Sequence, residues 1–152
     1  MAATLRRVSA RIRLSTIGAG AAGWGSVAAK IPVFTVVDDD GTDLLILQSN
    51  SAAQGAVILV NVPGWHYVHS IHSYDTGVVT DSRHTLVVND TDTTAAITAT
   101  PFVGEIDRII VGAGTFRLSA LVYLNAGDLV RGHGQGTGQL NNAVWSLEVL
   151  RA

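Results

Sequence analysis

The sequence predicts an all-β domain: an antiparallel β-sandwich of the jelly-roll or Greek-key type with an extended N-terminal arm. The first observation behind this is that short apolar runs alternate with clusters of Gly, Pro, Asn and Asp along most of the chain. The second is that no window of helical length carries an apolar stripe at helical spacing. The third is compositional. Apolar residues make up 47% of the 152 and charged residues only 14%, against about 25% charged in an average soluble protein. That balance excludes a coiled coil, a solvated helical bundle and a charged disordered tail, and the length suits one domain with its own core.

From the N-terminus, residues 7–15 alternate strictly. Val8, Ala10, Ile12 and Leu14 fall on one side and Arg7, Ser9, Arg11, Arg13 and Ser15 on the other, the pattern of a half-buried strand. Gly18, Gly20, Gly23 and Gly25 follow, with Trp24 among them, a small-residue linker that builds no core of its own. Residues 33–37 and 44–48 flank Asp40-Gly41, a strong hairpin signal. Residues 56–62 are almost wholly apolar, as in a central strand covered on both faces. Pro63-Gly64 fits the central pair of a type II turn leading into residues 65–73. Further strands are expected over 84–88, 95–100, 106–111, 115–124, 128–132 and 143–150. The clearest alternation sets Phe116, Leu118, Ala120, Val122 and Leu124 on a core face against Arg117, Ser119, Leu121 and Tyr123 on a mixed one. The last strand aims Trp145, Leu147 and Val149 one way and Ser146 and Glu148 the other.

The net charge of −2 conceals an asymmetry: residues 1–30 hold Arg6, Arg7, Arg11, Arg13 and Lys30 with no acid, whereas residues 31–152 hold five arginines and all twelve acids. The chain therefore divides into a basic arm, 1–30, and an acidic sandwich, 31–152. As an attachment device, the arm would offer Arg7, Arg11 and Arg13 to carboxylates of a scaffold. Val8, Ile12 and Leu14 would add a strand to the scaffold's sheet, and Trp24 would anchor the linker. An arm packed on its own domain is the competing reading, and an organellar transit peptide shares the composition.

Few residues suggest chemistry. The absence of cysteine removes disulfides, thiolate metal centres and a catalytic thiol. The glycines of the arm lack the Lys-Ser/Thr ending of a phosphate loop, and a lone Trp24 is no base-stacking platform, so neither nucleotide nor nucleic acid is expected. On one strand His66 and His72 share a face roughly 20 Å apart while His69 points away, so they do not share one metal, and an aromatic-polar surface is the expected role. The acids Asp38, Asp39, Asp40 and Asp43 lack the Gly and closing Glu of a calcium loop. Ser26 follows Gly25 without the second glycine of a nucleophile elbow. No enzyme, metal or cofactor is expected. The longest clean apolar run, residues 56–60, falls far short of the roughly 18 residues of a spanning helix, so no membrane partner is expected either.

The segments Gly114-Thr115-Phe116-Arg117-Leu118-Ser119-Ala120, Asn125-Ala126-Gly127-Asp128-Leu129-Val130 and Val144-Trp145-Ser146-Leu147-Glu148-Val149-Leu150 resemble the closing strands of certain trimeric jelly rolls. These are shared by complement-type globular heads, tumour-necrosis-factor-like domains and many small virion proteins of tailed bacteriophages. The sequence departs from the complement-type pattern, which sets several more strands between the Gly-aromatic strand and the Ala-Gly-Asp turn. The resemblance implies a trimeric surface module, and its phage variant a structural virion protein: a capsid decoration, head-fibre or tail component located in the virion and held to other virion proteins by the arm. Residues 56–62 and the mixed face of 115–124 offer more apolar surface than a lone sandwich needs, which also favours a homo-oligomer. The alternative function is a carbohydrate- or receptor-binding module. There Trp65, Tyr67, Tyr74 and Tyr123, with a Gly-rich loop over 132–138, would stack a host-surface glycan.

Overall fold

The computed structural model of the chain describes residues 10–18, 34–51, 55–74, 80–89, 103–111, 114–137 and 143–152. Every regular element among them is a strand: β1 Arg11–Gly18, β2 Val36–Asp39, β3 Leu45–Ser51, β4 Gly55–Val60, β5 Gly64–Tyr74, β6 Thr80–Val88, β7 Val103–Val111, β8 Gly114–Leu124, β9 Leu129–Thr137 and β10 Ala143–Arg151. They pair antiparallel in two sheets, the first ordered β2-β1-β10-β5-β8 and the second β3-β4-β9-β6-β7. Strands adjacent in sequence mostly fall in different sheets, and the chain's two ends lie side by side as β1 and β10. This is a jelly-roll sandwich. The strand expected over 95–100 lies outside the described residues.

Between the sheets the inward positions form one apolar core. The first sheet contributes Ile12, Val68, Leu118, Leu124, Leu147 and Val149; the second contributes Leu45, Ile58, Val60, Leu86 and Val130. Val57, Val87 and Arg131 alternate with these core positions and are buried as well, so the second sheet is covered on both sides there. β4 is thus the two-sided strand its composition predicts, with Leu59, opposite exposed Ile46, its one half-buried position.

β1 corrects the division at residue 30. It is an inner strand, hydrogen-bonded to β10 along its whole length and to β2 on its other edge, with Ile12 fully buried in the chain's own core. Residues 11–18 therefore belong to the body. Alternation identifies a strand with one apolar face; it carries no information about whose core receives that face.

The hairpin expected at Asp40-Gly41 is corrected too. Gly41 does turn, in the left-handed region at φ +70°, but β2 and β3 lie in different sheets, and the turn carries the chain across the sandwich. Acids hold it in place. The Asp39 carboxylate accepts from the Gly41 amide at 2.9 Å. One Asp40 oxygen accepts from the Thr42 amide and hydroxyl, and the other from the Arg11 amide at 2.7 Å. Slight desolvation pushes the Asp40 carboxyl up, but those bonds and the Arg11 cation outweigh it and hold the group below its ordinary range.

Gly64 is already the first residue of β5, opposite Leu124, with φ +158° rather than the roughly +80° of a type II turn. The Arg151 guanidinium lies over it, 3.4 Å from where a Cβ would stand. The segment 132–138, expected as a loop, is instead mostly strand: β9 continues to Thr137, with Gly134 opposite His84 and Gln135 opposite Arg83. At the β8–β9 connection the Asp128 carboxylate accepts from the Asn125 amide at 2.7 Å and from Asn89 Nδ2 at 2.8 Å. That acid is why the Asn-Ala-Gly-Asp turn ends as it does.

Candidate functional site

The outward face of the first sheet is where exposed apolar side chains gather. Alternation on β5 sends His66, Val68 and Ser70 into the sandwich, all fully buried, and therefore sends Trp65, Tyr67, His69 and Ile71 outward. On β8 the outward set is Arg117, Ser119, Leu121 and Tyr123. The antiparallel register places Trp65 opposite Tyr123, Tyr67 opposite Leu121 and His69 opposite Ser119. Trp65, Tyr67, Leu121 and Tyr123 are 55%, 40%, 60% and 54% exposed, which is unusual for a cluster of large apolar side chains on one sheet.

Contacts within this patch are local. The Trp65 and Tyr123 rings meet edge to face, with centroids 5.8 Å apart and planes at 85°. The Tyr67 and His69 rings are nearly parallel at 6.2 Å, and His69 Nδ1 lies 2.7 Å from the Ser119 hydroxyl. Toward the opposite edge the face becomes charged. Glu148 on β10 lies opposite His69, and Arg13 on β1 lies opposite both Glu148 and Asp38. Arg11 and Asp38 form an ion pair at 2.7 Å whose side chains are about half exposed. One sheet face thus carries an aromatic half on β5 and β8 and a half of mixed charge on β1, β2 and β10.

The residues singled out from sequence are distributed unevenly over this face. Trp65, Tyr67 and Tyr123 come together as expected. Tyr74 does not join them: it ends β5 opposite Gly114, nine positions from Trp65 and so about 30 Å along the strand. Of the arm residues, Arg11 and Arg13 reach this face, Ile12 is in the core, and Leu14 pairs with Leu147 and Val37 in the backbone register. Arg7, Val8 and Trp24 lie outside the described residues.

His66 departs from the surface role expected of it, because it points inward and is fully buried. Desolvation pushes its pKa down; the Gly64 carbonyl, 3.0 Å from Nδ1, opposes this in part, and the Arg151 cation adds to the downward shift. His66 and His69 occupy opposite sides of the sheet, and no cluster of three metal-ligating side chains occurs among the described residues.

Sequence reasoning placed Leu121 only on a mixed face and missed Glu148 and Arg151 as neighbours of the histidines. The signal for Leu121 was present in the alternation of 115–124. Which acid or cation stands beside a given histidine depends on the pairing of β5 with β10, about 80 residues apart in sequence, and no local pattern encodes it.

No known protein family matches the sequence, and neither does any curated protein. Among solved structures the fold is similar to the globular domain of a zebrafish complement 1qA protein, at 14% identity and a TM-score of 0.52, covering 93% of this chain and 94% of that one. It is also similar to murine APRIL, at 11% identity and a TM-score of 0.56, covering 95% of this chain and 100% of that one. At such identities the likeness establishes architecture: the chain has the jelly-roll fold of complement-type and tumour-necrosis-factor-like domains.

Proposed function

We propose that this protein is a non-enzymatic structural module that works as a homotrimer, with the outward face of the first sheet as its subunit interface. The exposure of Trp65, Tyr67, Leu121 and Tyr123 on one sheet carries this reading. Soluble chains seldom leave such a cluster in water, and interface cores are enriched in these residue types. A second copy is the occupant because the same face bears both charge signs, Arg11, Arg13 and Arg117 against Asp38 and Glu148, so it is complementary to itself in sign. The trimeric state of the similar complement-type and tumour-necrosis-factor-like domains supports the stoichiometry.

The setting we propose is the surface of a virion, where a jelly-roll trimer decorates a capsid or forms part of a head fibre or tail, held to other virion proteins. The resemblance of residues 114–150 to phage jelly rolls supports it. Absence of the chain from the protein composition of purified particles would remove this setting and leave the trimer standing.

A second reading is favoured by one specific observation, the clustering of Trp65, Tyr67 and Tyr123 in the open, which suits stacking of a sugar ring at a cell or virion surface. Against it, the edge-to-face packing of Trp65 on Tyr123 leaves no shared flat platform. Sedimentation equilibrium separates the two. A homotrimer at three times 15.9 kDa, with no signal on a glycan array, is the expected result. A 15.9 kDa monomer that binds glycans and loses them on Trp65→Ala would replace the first reading with the second.

A further inference from the structure

His66 sits directly beneath the aromatic half of the proposed interface, since its strand neighbours Trp65 and Tyr67 project outward while it projects into the sandwich. Its Nδ1 lies 3.0 Å from the Gly64 carbonyl oxygen. That oxygen accepts only, so Nδ1 carries the proton and Nε2 presents a bare lone pair. Nε2 is buried, and no hydrogen-bonding group among the described residues reaches it.

The surroundings disfavour a second proton. Arg151 on β10 is paired with His66 in register, and its guanidinium lies over Gly64 and donates to the Pro63 carbonyl at 3.3 Å. On β5 the inward neighbours are Gly64 and Val68, and β8 sets Val122 opposite. The Asp128 carboxylate is engaged elsewhere, accepting from Asn89 Nδ2 and the Asn125 amide. Arg131 alternates with core-facing Val130, so it lies on the far side of the second sheet. Protonated in place, His66 would be a buried cation whose new Nε2–H has no acceptor among the described residues, beside another cation.

Relief is available at low structural cost because the ring sits near the ends of its strands. Here β10 closes on β5 through the Ala152 amide on the Trp65 carbonyl at 3.0 Å, while the Arg151 amide turns to the other side and donates to the Ala10 carbonyl, just ahead of β1, at 2.9 Å. Parting these ends would let water reach Nε2 and would displace Trp65. We propose that His66 is an acid-sensitive latch: protonating its ring parts the ends of β5 and β10 and so dismantles the aromatic half of the subunit interface. The loss of assembly rests on the trimer reading above; the opening belongs to the single chain.

Amide hydrogen exchange across pH on the full chain, corrected for intrinsic rates, tests the opening, with sedimentation velocity run in parallel. The expected result is an opening constant at Ala152, whose amide donates to the Trp65 carbonyl, that rises about tenfold per pH unit below about 6.5, no such rise at Val149, and a trimer that dissociates over the same range. His66→Gln should flatten both. An opening constant independent of pH, or one that rises equally in the variant, overturns the latch. A chain already monomeric at pH 7.5 defeats the trimer reading alone, and the exchange data still decide the latch. If His66→Gln does not fold, the wild-type imidazole resonances decide: a ring that gains its proton in folded protein with no rise in exchange overturns the proposal.

Discussion

Phe34 is buried just ahead of β2, and the side chain of Asn50 satisfies both of its peptide groups. The Phe34 amide donates to Asn50 Oδ1 at 2.9 Å, and Asn50 Nδ2 donates to the Phe34 carbonyl at 2.7 Å. Asn50→Leu would leave both groups without partners at a half-buried site. It should cost about 1–3 kcal/mol, read as a lower midpoint in urea at unchanged slope; an unchanged midpoint would show that solvent replaces the side chain freely. His66 gives a pH dependence of definite sign. Its folded-state pKa is depressed by desolvation, so the unfolded chain binds the proton more readily. The contribution is intact above the unfolded value near 6.5 and is lost as pH falls below it, at up to about 1.4 kcal/mol per pH unit. Urea midpoints at pH 7.5 and 5.5 should therefore differ more in the wild type than in His66→Gln, and equal differences would count against it.

At the scale of elements, β1 carries the largest consequence. As an inner strand between β2 and β10 it fills the sheet and buries Ile12, so Ile12→Ala should cost about 2–5 kcal/mol. Removing residues 1–18 should leave β2 and β10 with open edges and yield an aggregating or unfolded chain. A truncated protein with a cooperative melt and native spectrum would show that the sandwich closes without β1. The neighbouring ion pair matters far less. Arg11 and Asp38 are about half exposed, so Arg11→Ala should change stability by less than about 1 kcal/mol. The same strands show what was legible. Alternation located β1, β8 and β10 and the core faces of each, because a period of two is a local property. The Asp40-Gly41 turn was visible for the same reason, but the sheets joined by its flanking runs were not, since a turn sets a reversal and leaves the partner strands to long-range pairing.

At the scale of the molecule, the outward faces of the two sheets differ. The second sheet buries Val57, Val87 and Arg131 on its far side, whereas the first leaves Trp65, Leu121 and Tyr123 largely exposed. If the latter face is a subunit contact, Leu121→Arg should convert the oligomer to monomer in sedimentation velocity. It should also leave the monomer's urea midpoint nearly unchanged, since Leu121 is 60% exposed in the single chain. A variant that assembles like the wild type would move the interface off this face.

By itself the sequence determined the class of the fold, the location of most strands and the inward face of the clearest ones, because composition, turn residues and alternation are written in consecutive positions. It also marked Trp65, Tyr67, Tyr74 and Tyr123 as one aromatic group, of which only Trp65, Tyr67 and Tyr123 lie together on the folded sheet. Only the tertiary structure decided that Ile12 fills this chain's own core, that the glycines of 132–137 run within β9, and that His66 lies inward against Arg151. Each of these depends on which distant strand lies alongside, as β1 does with β10 from opposite ends of the chain. Register between such partners is settled by the fit of both apolar faces into one shared core, a condition no single segment contains.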